Sequence, residues 1–207
     1  FNTISLGILT GVLCALLAFI INFSIRYTKN NFLGKLSSFL SIGYAVPGLI
    51  LAVGITRFLV YADQNIFSNL DFVITGSLLG LVLAYIIKSY ALANSSIESG
   101  YERISNSIDN SARLLGSKGS ILLGKIHFPL MKTSFITAIL LVTSEVVKEL
   151  PATLILRPFN FDTLAVVTYT YAAEERMYQA AMPSLAIVLI GIIPLIFLSK
   201  MIRSSRL

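Results

Sequence analysis

The chain has 207 residues, of which 56% are hydrophobic and 13% are charged, and its mean hydropathy is +0.82. This balance excludes an ordinary soluble domain, in which charged residues are about twice as frequent. The single cysteine, Cys14, excludes an internal disulfide. The first residue is Phe1 rather than methionine, so we expect a processed protein or a piece of a longer chain.

Uncharged stretches recur along the chain and predict membrane-spanning helices. A helix that crosses about 30 Å of hydrocarbon needs about 20 mostly apolar residues. The third predicted helix reaches this length if Lys88 extends its charged end to the membrane surface. We therefore predict an all-α membrane protein that forms a single transmembrane domain over residues 1–207. Its five spanning helices are predicted at 5–25, 36–61, 72–93, 133–150 and 182–202.

The basic residues collect on one side of these predicted helices. Basic side chains are enriched in cytoplasmic loops, so we predict an outside N-terminus and a cytoplasmic C-terminus. The inner group is Arg26, Lys29, Lys35, Lys88, Arg103, Arg113, Lys118, Lys125, Lys132, Lys200, Arg203 and Arg206. The outer group is Arg57, Lys148, Arg157 and Arg176. A membrane surface thus explains the net charge of +6, and we predict no nucleic-acid partner.

Proline and glycine mark two of the predicted helices. Pro47 interrupts the second helix and removes a backbone hydrogen bond, which predicts a kink. Such breaks are tolerated in membranes where they pack on protein or line a cavity. Gly7 and Gly11 in the first helix, and Gly76 and Gly80 in the third, have the spacing that lets two helices approach closely. The alternative is that glycine is simply frequent in membrane helices.

Two predicted connections are much longer than hairpins. The cytoplasmic one, at 94–132, is basic and amphipathic, and it predicts short helices outside the bilayer with a turn at Ser99-Gly100. The external one, at 151–181, is predicted to contain a short helix over 163–181 with Asp162 as its N-cap. Loops of this length usually carry function.

The cytoplasmic loop contains two short motifs. The first reads Asp109-Asn110-Ser111-Ala112-Arg113-Leu114-Leu115-Gly116, and the second, after nine residues, reads Ile126-His127-Phe128-Pro129. Together they resemble the EAA loop of binding-protein-dependent ABC importers, whose pattern is Glu-Ala-Ala, three residues, Gly, nine residues, Ile-x-Leu-Pro. Asn110 stands for the Glu, Ser111 for the first Ala and Phe128 for the Leu. Direct matches are Ala112, Gly116, Ile126 and Pro129.

The resemblance implies the fold and the partners of a type I ABC importer permease. In that family the loop forms a short coupling helix held in a groove of the ATPase subunit. The implied partners are ABC ATPase subunits, a periplasmic or extracellular solute-binding protein, a second permease half and membrane lipid. The implied location is the bacterial plasma (inner) membrane. A separate subunit would hydrolyse ATP, so we expect a transport subunit with no catalytic residue and no cofactor. The expected coupling residues are Asn110, Ser111, Ala112, Gly116, Ile126, Phe128 and Pro129.

A wider resemblance concerns the cargo and covers roughly residues 5–203. The segments Lys148-Glu149-Leu150-Pro151-Ala152-Thr153-Leu154-Ile155-Leu156-Arg157-Pro158 and Phe161-Asp162-Thr163-Leu164-Ala165 resemble the ferric-iron permeases of this class. Those permeases contain two related halves, and this chain resembles the second. The resemblance implies ferric iron as cargo, although thiamine, polyamine and other small-solute permeases share much of the pattern. A gradient-driven carrier or channel is the alternative from another class, and it would leave the long basic inner loop without a function.

Charged residues at the end of the fourth predicted helix are candidates for the translocation path. Glu145, Lys148 and Glu149 lie three and four residues apart, close to one helix face. Charges within membranes normally face a partner or an aqueous cavity. We predict that these three residues, with Pro47, line the path near its outer end. The alternative is an ion pair that fixes helix packing. One histidine and one cysteine predict no metal site.

The external segment is the candidate docking surface for a solute-binding protein. Its position and its charged side chains suggest this role. The residues are Arg157, Asp162, Glu174, Glu175 and Arg176.

Overall fold

The computed structural model describes residues 1–68 and 73–204, which form helices joined by short turns. Phe72, the predicted start of the third helix, and Arg206, one of the inner basic residues, lie outside the described residues. The helices are α1 (Asn2–Thr28), α2 (Asn31–Ser41), a 3-10 turn (Ile42–Ala45), α3 (Gly48–Asn65), α4 (Leu78–Glu102), α5 (Asn106–Leu114), α6 (Gly119–Ile121), a π-helical turn (Leu122–His127), α7 (Phe128–Leu130), α8 (Lys132–Val147), α9 (Pro151–Leu156), α10 (Leu164–Ala173) and α11 (Met177–Ser204). This architecture confirms the predicted all-α fold class.

In the described part of the chain, three helices are long and apolar enough to cross a membrane alone: α1, α4 and the part of α11 at 177–197. Two further spans qualify only as bent pairs. One joins 31–45 to α3 at 116°, and the other joins 119–130 to α8 at 73°. Counting each bent pair as one span gives up to five, the number predicted from the sequence.

The second predicted helix is broken rather than kinked. Val46 is extended, with φ −76° and ψ 127°, as expected for the residue before a proline. Pro47 is the N-cap of α3 and does not continue α2. Beside the break Gly43 packs directly on α4, because a Cβ atom there would overlap the carbonyl oxygen of Ile87. The predicted interruption at Pro47 is therefore present, but it is a break of 116° between two helices rather than a kink in one.

Other predicted boundaries also shift. α4 continues to Glu102, so no turn forms at Ser99-Gly100; instead Gly100 packs closely against Ser134 and Met131 of the next span. Gly76 has φ +76° in the turn before α4, so it does not share a helix face with Gly80. The fourth predicted helix ends at Val147 rather than residue 150.

The core is built from α1, α4 and α8, which pack against one another. Gly7 and Gly11 of α1 allow the closest approach to α8: a Cβ atom at Gly11 would lie 2.9 Å from the carbonyl oxygen of Ile139. Thr143 also donates a hydrogen bond from Oγ1 to the Gly7 carbonyl oxygen at 3.1 Å. The first of the two glycine pairs is therefore a helix contact.

The external segment differs from its predicted form. The predicted helix over 163–181 is divided into α10 and the start of α11 by a turn at 174–176. Thr163, rather than Asp162, is the N-cap of α10 and accepts a hydrogen bond from the Val166 amide. Asp162 instead pairs with Arg157.

Candidate coupling loop and buried ion pairs

Helix α5 contains the first motif of the cytoplasmic loop and has defined ends. At its start Ser105 is the N-cap, and its Oγ accepts a hydrogen bond from the Ser107 amide at 3.2 Å. At its end Gly116 has φ +81°, and its amide donates to the Arg113 carbonyl oxygen at 2.9 Å. The next amide, of Ser117, donates to the Ala112 carbonyl oxygen at 3.0 Å. This is a Schellman end, which needs a left-handed residue and therefore favours glycine.

One face of α5 is exposed, and the other packs against the rest of the protein. Asn110 and Ser111 are exposed, whereas Ala112 is buried. Leu114 and Leu115 follow, with 89% and 87% of their surfaces exposed. The loop thus presents two neighbouring leucines beside the left-handed glycine. Sequence reasoning did not single them out, although their place just before Gly116 was the available signal.

The attached face of α5 centres on Asp109, which is only 7% exposed. Arg26, at the end of α1, donates from Nε to Asp109 Oδ2 at 2.6 Å. His127 Nε2 lies 2.9 Å from the other carboxylate oxygen, Oδ1. The His127 ring is fully buried between Phe23 and Tyr101. A buried carboxylate with partners on both oxygens is held firmly in place. Sequence reasoning missed this cluster.

The second motif is joined to α1 and α8 through the Phe128 ring. Ile126 is half-buried, while Phe128 and Pro129 are more exposed. The Phe128 ring contacts the rings of Phe19 in α1 and Phe135 in α8, with centroids 6.0 and 5.6 Å apart. The two halves of the predicted coupling set therefore lie in different surroundings.

A buried ion pair joins α4 to the segment after α8. Glu149 pairs through Oε2 with Lys88, and its Oε1 accepts a hydrogen bond from the Ala152 amide at 3.2 Å. Lys88 lies close to the middle of α4. The prediction that it extends to the cytoplasmic surface was wrong, because its ammonium group has a buried carboxylate partner.

The break between α2 and α3 adjoins this pair. A Cβ atom at Gly48 would lie 2.8 Å from Glu149 Oε1 and 2.9 Å from Lys88 Nζ. The Lys88–Glu149 pair can therefore occupy this position only if residue 48 has no side chain. Pro47 itself is exposed.

Glu145 and Lys148 form a separate and more exposed pair. Lys148 Nζ lies 2.9 Å from Glu145 Oε2, and the Lys148 side chain is 60% exposed. Lys148 therefore does not pair with Glu149, its neighbour in sequence. Among residues 1–68 and 73–204, no three His, Cys, Asp or Glu side chains cluster closely enough to hold a metal ion.

The external charged residues form two local pairs. Arg157 pairs with Asp162 beside α9. Arg176 Nη1 lies 3.2 Å from Glu174 Oε2 in the turn between α10 and α11, where Glu175 has φ +60°. The whole turn is exposed.

Comparison with solved structures shows which known fold the chain shares. The chain superposes on a chain of the MetNI methionine ABC transporter, solved in inward-facing conformations, with a TM-score of 0.69 and 13% identity. The match covers 97% of this chain and 93% of that one. The fold is therefore one found in ABC transporters. No protein-family model matches the chain.

Similar sequences indicate more narrowly which kind of transport protein the chain resembles. The chain is 27% identical over 158 residues to the Fe(3+)-transport system permease protein FbpB 2 of Haemophilus influenzae, covering 76% of this chain and 29% of that protein. It is also 27% identical over 172 residues to the putative 2-aminoethylphosphonate transport system permease protein PhnV of Salmonella paratyphi A, covering 83% and 62%. The chain thus spans less than two thirds of either relative. These similarities confirm the resemblance to type I ABC importer permeases. With the apolar helices they indicate a multi-pass inner-membrane protein.

Proposed function

We propose that this chain is the membrane-spanning permease subunit of an ATP-driven, binding-protein-dependent importer. One observation carries the proposal: the loop between α4 and α8 combines the EAA spacing with a short helix that ends at a left-handed Gly116 and exposes Leu114 and Leu115. An exposed apolar pair next to a defined helix end is suited to a groove on a partner protein. The partner is an ABC ATPase, which hydrolyses the ATP; this chain supplies no catalytic group.

The coupling contact comprises Asn110, Ser111 and Ala112 on α5 with Gly116 at its end. The second motif, Ile126 to Pro129, acts from the membrane side by fixing the loop against α1 and α8 through the Phe128 ring. The N-terminus is outside and the C-terminus is cytoplasmic, as the distribution of basic residues suggests. A second permease half completes the path, and a solute-binding protein docks outside.

The translocation path passes Pro47, Glu145, Lys148 and Glu149. The half-exposed Glu145–Lys148 pair offers charge to a passing solute, whereas Glu149 is already paired with Lys88. Charged side chains within the membrane-spanning part of a protein are costly unless they serve packing or transport. Movement at the α2–α3 break, which adjoins the buried pair, is the step that would open the path.

Ferric iron is the proposed cargo, supported by the name of the Haemophilus influenzae relative and by the resemblance at 148–165. A second cargo is favoured by a separate observation, because the Salmonella relative is a putative 2-aminoethylphosphonate permease. Uptake of Fe(III) and of 2-aminoethylphosphonate into vesicles that contain the whole complex distinguishes the two. A gradient-driven carrier would accumulate either solute without ATP.

The test of the coupling loop compares two exposed glycines that differ in the sign of φ. Gly116 and Gly124 are both surrounded by open space, but only Gly116 has a positive φ. Valine at Gly116 is strained by about 1–2 kcal/mol in the left-handed region and should misplace the leucines. We expect Gly116→Val to abolish ATP-dependent uptake while Gly124→Val retains it, with the complex assembled in both. Uptake that ignores ATP and Gly116 would refute the importer.

A further inference from the structure

Helix α1 contacts both functional segments of the chain, although it is covalently adjacent to neither. Its 27 residues span about 40 Å. The chain runs directly from the coupling loop into α4 and α8, yet two charged side chains of α5, Asp109 and Arg113, contact the last turn of α1. The first turn of α1, at the opposite end, contacts the external segment.

At the inner end, Arg26 holds three partners, one in α4, one in α5 and one in the turn between them. Besides the bond to Asp109 Oδ2, Nη1 donates to the Tyr101 carbonyl oxygen at 2.9 Å, and Nη2 donates to the Ile104 carbonyl oxygen at 2.7 Å. The planar guanidinium thus ties α1 to the end of α4 and to α5 at once. With His127 on the other oxygen of Asp109, the carboxylate has little freedom to move relative to α1.

A second contact lies one helical turn further along α5. The Arg113 guanidinium stacks over the Tyr27 ring, 4.6 Å from its centroid, and Nη2 donates to the Tyr27 carbonyl oxygen at 3.4 Å. Asp109 and Arg113 are four residues apart, so both point from one face of α5 toward α1. These two side chains contact Arg26 and Tyr27, which are neighbours in α1. Two contacts along one face resist rotation of α5 as well as separation from α1.

At the outer end, the start of α1 is bonded to the external segment. Thr3 Oγ1 accepts a hydrogen bond from the Leu164 amide at 2.9 Å, at the first residue of α10. Asn2 Nδ2 donates to the Asp162 carbonyl oxygen at 3.1 Å. Thr3 is buried, so its loss as an acceptor would leave the Leu164 amide without this partner.

We propose that α1 carries movement between the coupling loop and the external segment as a rigid rod, with Asp109 and Arg26 as the positioning pair at its inner end. The proposal rests on the proposed importer function, because it assigns the ends of α1 to an ATPase side and a binding-protein side. Packed helices with fixed polar joints at both ends transmit displacement without needing to deform.

The experiment is a double-mutant cycle in vesicles that contain the complete complex. ATP hydrolysis is measured without and with the binding protein loaded with the solute that the uptake assay selects. Asp109→Asn and Arg26→Gln should each reduce the stimulation by about fivefold or more, the usual range for coupling between sites. The double variant should show no further loss, because the two residues form one joint. Asp109→Glu, which keeps the charge, should recover part of the stimulation.

Two controls separate transmission from folding. Arg103→Gln removes an exposed arginine of the same loop whose Nε bonds only its own helix, to the Ser99 carbonyl oxygen, and it should leave stimulation unchanged. At the far end Thr3→Val should reduce stimulation without touching the loop. Thr56→Val should not, because the Thr56 hydroxyl bonds only Ala52 of its own helix.

The outcomes distinguish the two proposals. A wild-type complex that shows neither ATP-dependent uptake nor stimulation would refute the importer function, and this inference with it. A stimulated wild type, with Asp109→Asn and Thr3→Val assembled and equally stimulated, would refute the role of α1 alone.

Discussion

At the scale of single residues, two ion pairs near the end of α8 differ chiefly in burial. Lys88 and Glu149 are paired away from solvent, whereas Lys148 is 60% exposed beside Glu145. Removing one partner of a buried pair leaves an uncompensated charge and costs about 3–5 kcal/mol. Removing one partner of an exposed pair costs about 0–1 kcal/mol. The same substitution should therefore have very different effects at the two lysines.

The corresponding prediction compares Lys88→Met with Lys148→Met by thermal unfolding of the purified protein in detergent. We expect a clear fall in Tm for Lys88→Met and almost none for Lys148→Met. Lys88→Met combined with Glu149→Gln should recover much of the loss, because no charge is then left unpaired. Equal effects of the two lysine substitutions would contradict the assignment of Lys88 to a buried pair.

At the scale of elements, the break before α3 depends on close packing at Gly43. A Cβ atom there would overlap the backbone of Ile87, which cannot move without displacing α4. Overpacking of this kind costs about 1–3 kcal/mol. Gly54, inside α3, faces open space, and alanine there should even gain about 1 kcal/mol of helix propensity. We expect Gly43→Ala to lower the Tm and Gly54→Ala to keep or raise it. A Gly43→Ala protein as stable as wild type would show that the two elements do not pack as described.

The helices also show how much of the fold could be predicted from the sequence. Apolar length predicted the spanning segments and the fold class, because membrane thickness imposes that length on any chain. The break at Pro47 was detected but underestimated as a kink, since proline restricts its predecessor without fixing the angle that follows. The site residues of the coupling loop came from the resemblance to the EAA loop of ABC importers, and their role stays a prediction.

The partners of buried charges could not be predicted. Lys88 and Glu149 are separated by 61 positions, and Arg26 and Asp109 by 83. Their pairing follows from how α1, α4 and α8 pack, which no local pattern encodes. Lys88 was consequently predicted to extend to the surface instead of pairing with Glu149, because extension best explains an unpaired lysine in an apolar stretch.

At the scale of the whole molecule, the external turn at 174–176 is the best test of a docking surface. It is exposed, and Arg176 pairs with Glu174 and stacks over the nearby Tyr171 ring of α10, so substitution there should leave the bundle intact. Exposed charges of this kind affect the rate of association and its dependence on salt more than the stability of a complex. The informative change reverses the surface charge while preserving the local ion pair.

We therefore expect the triple variant Glu174→Lys, Glu175→Lys, Arg176→Glu to slow association with the solute-binding protein by about tenfold at low salt. The difference from wild type should shrink as salt screens the charges. Stopped-flow binding to the complete complex in nanodiscs, at low and high salt, measures both effects. Basal ATP hydrolysis should be unchanged, because the proposed coupling contact belongs to α5, which is a separate element. An association rate that is unaltered at every salt concentration would remove 174–176 from the docking surface. The remaining candidates would then be Asp162, whose carbonyl oxygen accepts a hydrogen bond from Asn2 of α1, and its partner Arg157.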